Sequence, residues 1–420
     1  MIASRQKDYI WNSVAGIINA AEAVIMSMVV TRLGQLSDAG ILSLAFAAGN
    51  VLMVIGKFGG RMYQVTDVKG QYSFRMYLTQ RFLTLGIMAL SLAGLLLYGH
   101  YSEEKKNAII LIALIYMVES IEDCVWGQYQ MVDRLYVGAQ MFSTRWIAIL
   151  IAFIATMAVT HNMITALLVG GTAGAIVFII WMIYLWDNGT LKWRRQTRDF
   201  NVPIFGAWIQ SLFRQTLPLF FASFCAILLS NIPKFAIDRH LSDEVQACYS
   251  FVAMPVFVIG LLNQFIYQPT VVKLTNDYYD GQMEQFRHEV KRQMLFVAGI
   301  ALMCVFGAGI VGVPALSVLY HTDLSKYWRE LVVLQFAGGF LALTGYFTVL
   351  LTLMRRQNII IIGYMGILII GIPIINGAVE MAGTIGASIG YLLLMVTLFA
   401  FYFVFCLSII SSSQRERNRV

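Results

Sequence analysis

Residues 56–69 read GKFGGRMYQVTDVK, and residues 260–273 read GLLNQFIYQPTVVK. Laid over each other 204 residues apart, the two stretches agree at Gly56/Gly260, Tyr63/Tyr267, Gln64/Gln268, Thr66/Thr270, Val68/Val272 and Lys69/Lys273. Each closes an apolar run and opens a long polar loop. An offset of about half the chain reads as one unit present twice.

Composition says what kind of unit it is. The 420 residues are 59% hydrophobic and 13% charged, with a mean hydropathy of +0.70. A soluble domain carries about 25% charge. Twelve runs approach the ~20 apolar residues that cross a bilayer. In the first half they are Ile10–Thr31, Ala39–Gly56, Phe82–Tyr98, Ala108–Met131, Val137–Thr160 and Met163–Trp186. In the second they are Leu217–Ile237, Val245–Tyr267, Met294–Val313, Leu331–Met354, Ile359–Val379 and Thr384–Ile410. The first run is longer than the apolar region of a cleaved signal peptide, so it reads as a retained span. The expected fold is all-α and polytopic in the lipid bilayer, with twelve transmembrane helices in two six-helix lobes. An even number of spans per lobe gives both the same orientation, with a pseudo-twofold axis along the membrane normal.

The net charge of +7 does not point to nucleic acid, because the basic residues sit in loops beside apolar runs. With the N-terminus in the cytosol, 23 of the 30 Lys and Arg fall on the inner side, which orients the chain with both ends inside. The layout is then an N-terminal lobe over residues 1–187, a basic linker over 188–215, a C-terminal lobe over 216–410 and a cytosolic tail over 411–420. In the linker, Ile204, Trp208, Ile209 and Leu212 share one helical face, as an interfacial helix would. The five cysteines (Cys124, Cys225, Cys248, Cys304 and Cys406) lie in or at the edges of apolar runs without metal-ligand spacing. All five histidines fall in loops or at span ends, and no phosphate loop is present. No catalytic set, metal or cofactor is expected.

Charge in hydrocarbon costs a few kcal/mol, so polar residues inside the runs are the functional candidates. Span 1 carries Asn12, Asn19 and Glu22 on one face; span 2 carries Asn50, Lys57 and Arg61 on another, with Gln64 just beyond. Span 4 holds Glu119, Glu122 and Asp123, with Trp126 and Gln130 continuing the Glu119/Asp123 face, and span 5 holds Arg145. Lys234 lies late in span 7, and Asn263 and Gln268 end span 8. Together they suggest a polar, partly cationic cavity between the lobes, with Arg61 and Arg145 as partners for Glu22 and Glu119. Bland readings stand beside this one. Lys57, Arg61 and Arg355 could snorkel to the inner interface. The spacing of Lys234 and Asp238 suits an i,i+4 pair better than a ligand role. The stripe Thr344, Thr348, Thr352 reads as helix packing.

Several stretches resemble the polysaccharide-repeat-unit flippases of the multidrug/oligosaccharidyl-lipid/polysaccharide exporter superfamily. They are GGRMYQVTD with YSF and Arg81 following, ESIEDCVWGQYQMVDRLYVGAQ, LPLFFASFCAILLSNIPKFAID and YSFVAMPVFVIGLLNQFIYQP. The resemblance covers most of spans 1 to 9 and adds little to the last three. It implies two lobes facing each other in a V around a central cavity, with alternating access. It implies export of an undecaprenyl-diphosphate-linked oligosaccharide across the cytoplasmic membrane of a bacterium, for capsule, O-antigen or exopolysaccharide. A polysaccharide polymerase and glycosyltransferases would then be partners in the same process. Lys234 and Arg61 match basic positions of the family.

Other readings remain. The carboxylates Glu22, Glu119, Glu122 and Asp123 keep a cation-coupled multidrug exporter of the same superfamily in play. An integral-membrane polysaccharide enzyme would call for a long outer loop or an embedded histidine, and neither is seen. GKFGGRMYQ resembles the loop signature of major-facilitator transporters only weakly.

Overall fold

The computed structural model describes residues 2–67, 70–187, 205–256, 259 and 270–417. It contains two compact units, residues 1–227 and 228–420. No strand occurs among the described residues.

The first unit begins with α1 (Ile2–Leu33), α2 (Leu36–Lys57), α3 (Gly60–Thr66) and α4 (Phe74–Tyr98). It continues with α5 (Glu103–Met131), α6 (Leu135–Thr160), α7 (Met163–Asp187) and the first part of α8 (Phe205–His240). The helix starts are locally encoded. Ser102 accepts from the Lys105 backbone N–H at 3.3 Å, and Glu103 and Glu104 place negative charge at the α5 N-terminus. The middle of α2 is built from small residues (Ala39, Gly40, Ala45, Ala47, Ala48, Gly49) and is buried on every side. At Gly49 an added Cβ would lie 2.6 Å from Ile112, so α2 and α5 approach as closely as their backbones allow.

The quoted motif proves more structured than a loop. Helix α2 stops at Phe58 and Gly59, both left-handed (φ 46° and 64°), and the chain turns into the short helix α3. Asp67 then gathers the chain: its carboxylate accepts from the backbone N–H of Gln71 (3.0 Å) and Tyr72 (3.1 Å) and from the Tyr77 hydroxyl (2.9 Å). Helix α4 starts at Phe74, eight residues before the expected span, so Arg75 and Arg81 are helical. Of the second copy, residues 260–269 lie outside the described residues, while Thr270 and Lys273 flank the start of α10 (Val271–Tyr279).

The expected interfacial helix is the first turns of α8. Trp208 and Leu212 are buried against Tyr72, Tyr77 and Cys124, with Ile209 half-buried beside them, so this face is covered by protein. Tyr72 hydrogen-bonds Ser211 at 2.9 Å, Tyr63 bonds Gln215, and Phe58 stacks on Phe220 with ring centroids 4.3 Å apart. Residues 205–227 thus belong to the first unit. Ile204 and the basic cluster at 192–198 lie outside the described residues.

The second unit holds the rest of α8, α9 (Asp243–Ala253), α10, α11 (Met283–Gly307), a π-helical turn (Ala308–Gly312), α12 (Val313–Tyr320), α13 (Trp328–Leu353) and α14 (Gln357–Arg417). Helix α14 comprises spans 11 and 12, bent at Gly383 (φ 59°, ψ −139°). Tyr402 donates to the Ile360 carbonyl at 2.7 Å and Leu394 lies against Gly371, so the two arms run back along each other. Among the described residues nine helices are long and apolar enough to cross a membrane, with both arms of α14 counted in one. Helix α5 is excluded from that number only by its charges, and α9 is the described part of span 8. Each of the twelve expected runs therefore has a helix, and the chain is a multi-pass membrane protein.

Candidate functional site

The charges that interrupt the apolar runs of the first unit converge on one face of α5. Residues three and four apart share a helical face, so Glu119, Glu122, Asp123, Trp126 and Gln130 form a continuous polar strip. Four other helices meet it. Lys57, the last residue of α2, donates to Glu119 Oε1 at 2.9 Å. Arg145 of α6 donates to Glu119 Oε2 at 3.1 Å and to Glu122 Oε2 at 2.7 Å, and the Trp146 indole N–H also reaches Glu119 Oε2 at 3.1 Å. Arg81 of α4 donates to Asp123 Oδ2 at 3.1 Å and to the Gly56 carbonyl at 2.8 Å. Arg61 of α3 lies with its guanidinium carbon 4.2 Å from the centre of the Trp126 ring, 3.0 Å from Gln130 Oε1 and 3.5 Å from Asp123 Oδ1.

This network borders a cleft of about 270 Å³. Asn12 and Asn19 of α1 line one side, and Lys57, Arg61, Glu119, Glu122, Asp123 and Trp126 the other. The cleft is dipolar rather than simply cationic. Removing one partner from such buried pairs costs about 3–5 kcal/mol, since the other charge is left uncompensated.

The expected residues fare differently. Lys57, Arg61, Glu119, Asp123 and Arg145 come together, and Lys57 and Arg61 are paired within the protein instead of reaching for the interface. Lys57 and Arg61 do not share one helix face, because the break at Phe58–Gly59 separates them; the turn still delivers both to the cleft. Asn19 lines the cleft. Glu22 is buried, but its partner is the Tyr116 hydroxyl at 3.4 Å, not Arg61 or Arg145. It lies three residues from Asn19 on α1, and Tyr116 of α5 stands against it. Asn50 is half-buried on α2 and does not line the cleft. Gln64 is fully buried against Gly127, with both side-chain polar atoms unpartnered. Lys234 is half-buried in the second unit. Asn263 and Gln268 lie outside the described residues. The threonine stripe is internal to α13: each hydroxyl donates to the carbonyl four residues back, at 2.7–3.0 Å.

Two participants, Tyr116 and Trp146, are not singled out by the sequence, and Arg81 enters there only beside a resembling stretch. The only sequence signal at these two is spacing, Tyr116 one turn before Glu119 and Trp146 next to Arg145. Arg81 looked like a loop cation because the apolar run begins after it.

No family model matches the chain. Among solved structures it is similar to an inward-facing multidrug resistance MATE family transporter of the MOP superfamily, with a TM-score of 0.67 at 12% identity over 97% of this chain and 99% of that one. It is also similar to the lipid II flippase MurJ in an inward closed conformation, with a TM-score of 0.66 at 11% identity over 93% and 86% of the two chains. The chain therefore shares the all-α fold of these two proteins. Among curated proteins the chain is similar to the capsular polysaccharide biosynthesis protein CapF of Staphylococcus aureus, at 25% identity over 345 residues covering 81% of this chain and 83% of that protein.

Proposed function

We propose that this protein is a flippase that carries an undecaprenyl-diphosphate-linked oligosaccharide across the cytoplasmic membrane by alternating access, with both termini in the cytosol. It would act in capsule, O-antigen or exopolysaccharide synthesis, downstream of glycosyltransferases and upstream of a polysaccharide polymerase. The observation that carries the reading is Arg61, a cation on the cleft held by an aromatic face and only loosely by a carboxylate. A guanidinium offers five N–H donors in a planar fork that matches phosphate oxygens two at a time. Two of its five N–H donors are directed at Gln130 and Asp123, and three remain for a headgroup. The amides of Asn12 and Asn19 face the same cleft and supply donors and acceptors for sugar hydroxyls. The similarity to CapF and to the fold of MurJ supports the same reading.

The test is complementation of a flippase-null strain. Arg61→Gln should abolish polysaccharide export while leaving the protein folded and membrane-inserted; full export by this variant would refute the reading. A cation-coupled drug exporter is the second reading, favoured by the three carboxylates on the cleft. Resistance conferred on a pump-deleted host, with no complementation of the flippase-null strain, would establish it instead.

A further inference from the structure

We propose that Arg81 is a positioning residue that occupies Asp123 so that Arg61 stays available to an anionic headgroup. The inference rests on the reading of Arg61 given above and deepens it.

Four cations, Lys57, Arg61, Arg81 and Arg145, meet three carboxylates, Glu119, Glu122 and Asp123, along α5. Glu119 is shared by Lys57 and Arg145, and Glu122 belongs to Arg145. Glu22, the fourth carboxylate nearby, is hydrogen-bonded to Tyr116 and forms no ion pair among the described residues. That leaves Asp123 with two claimants. Arg81 holds Oδ2 at 3.1 Å with a side chain 3% exposed, whereas Arg61 stands 3.5 Å from Oδ1 with a side chain 24% exposed. A separation of 3.5 Å is at the outer edge of hydrogen bonding. The stronger contact therefore belongs to the cation that no ligand can reach.

Arg81 is fixed from two sides. One terminal nitrogen reaches Asp123 and the other donates to the Gly56 carbonyl at the end of α2. Thr84 donates to that same carbonyl at 2.7 Å, so the helix end is capped without the guanidinium. Capping explains one arm of Arg81 and leaves the arm on Asp123 unexplained. Arg61 is fixed differently. The Trp126 ring face orients it without neutralising it, as a cation–π contact does. With Arg81 present, Asp123 is shared and Arg61 keeps only the weaker contact to it. Without it, Asp123 would close on Arg61 and the two would cancel.

The test compares the full-length protein in nanodiscs, as wild type, Arg81→Met, Asp123→Asn and the double variant. The readout is the rate at which phenylglyoxal modifies Arg61, followed by mass spectrometry. Arg61 should react severalfold more slowly in Arg81→Met than in wild type, and the double variant should regain the Asp123→Asn rate. Should Arg81→Met fail to fold, Arg81→Gln, which keeps a donor for the Gly56 carbonyl but no charge beside Asp123, decides: a slower Arg61 rate than wild type supports the inference and an unchanged rate overturns it. An unchanged Arg61 rate in folded Arg81→Met, or a double variant slower than Asp123→Asn, would overturn it. The readout needs no substrate. The expected reactivity pattern together with normal export by Arg61→Gln would instead overturn the flippase reading.

Discussion

Arg145 is 1% exposed and serves two carboxylates at once, with Phe142 and Trp146 beside its guanidinium. Replacing it by Ala strands Glu122 and leaves Glu119 to Lys57 and Trp146, at a cost of about 3–5 kcal/mol. Arg145→Ala should therefore reduce the folded fraction in detergent, seen by fluorescence-detected size exclusion, and adding Glu122→Gln should recover part of it. Asp67 gives a second residue-scale outcome. Asp67→Ala orphans three donors at about 1–3 kcal/mol each where they remain buried. Limited proteolysis of the variant should cut the chain just before α4, and wild type should resist. The acidic half of the site was legible in the sequence because each carboxylate interrupts an apolar run. Its partners were legible where they too were charged and inside a run, as Arg145 was, or within a turn or two of its end, as Lys57 and Arg61 were. Tyr116 could not be told from core, and Arg81 fell outside the hydropathy window because its first helical turns are polar.

At the scale of elements, the break between α2 and α3 is what turns a span end into a site. Gly59 needs its left-handed conformation, and an added Cβ would also stand 2.7 Å from Leu219 of α8. Gly70 shares the positive φ (61°) but has open space around it. Gly59→Ala should thus pay about 1–2 kcal/mol of backbone strain plus about 1–3 kcal/mol of overpacking, while Gly70→Ala should pay only the first. Thermal melts of the two variants in the same detergent separate the terms; equal losses would remove the case for close contact with α8. The stripe on α13 predicts the opposite kind of result: Thr348→Val should leave export and stability within about 0.5 kcal/mol of wild type, as an ordinary substitution away from any special feature does. Sequence periodicity located the helices well and their ends poorly. Two glycines and a lysine after an apolar run look like a loop, and nothing local announces that a seven-residue helix follows. The apolar face of Trp208 and Leu212 was visible, but tyrosines far away in sequence, not lipid, cover it.

For the whole molecule, the twelve spans were legible because a bilayer sets one length and one polarity for every crossing. Among the described residues α5 strains that rule, because it carries the charged strip. The orientation read from Lys and Arg yields a direct test in a variant lacking the five native cysteines. Single cysteines at Lys7, Asp133 and Gln357 should be labelled by an impermeant maleimide only after the membrane is opened, and one at Glu104 in intact cells. Labelling of Lys7→Cys in intact cells would invert the topology.

The bend in α14 has a consequence for how the last two spans keep phase. A straight helix of its 61 residues would measure about 90 Å, three times the hydrocarbon thickness, so the chain has to double back. It does so at one glycine, with no slack on either side. Each contact down the pair, from Gly390 beside Ile375 to Tyr402 under the Ile360 carbonyl, inherits its alignment from that turn. One extra residue inserted after Gly383 would rotate the final arm by about 100° and swing Tyr402 away from its acceptor. The same insertion in the turn before α5, where the neighbouring helices are joined by a short stretch of exposed chain, would be absorbed locally.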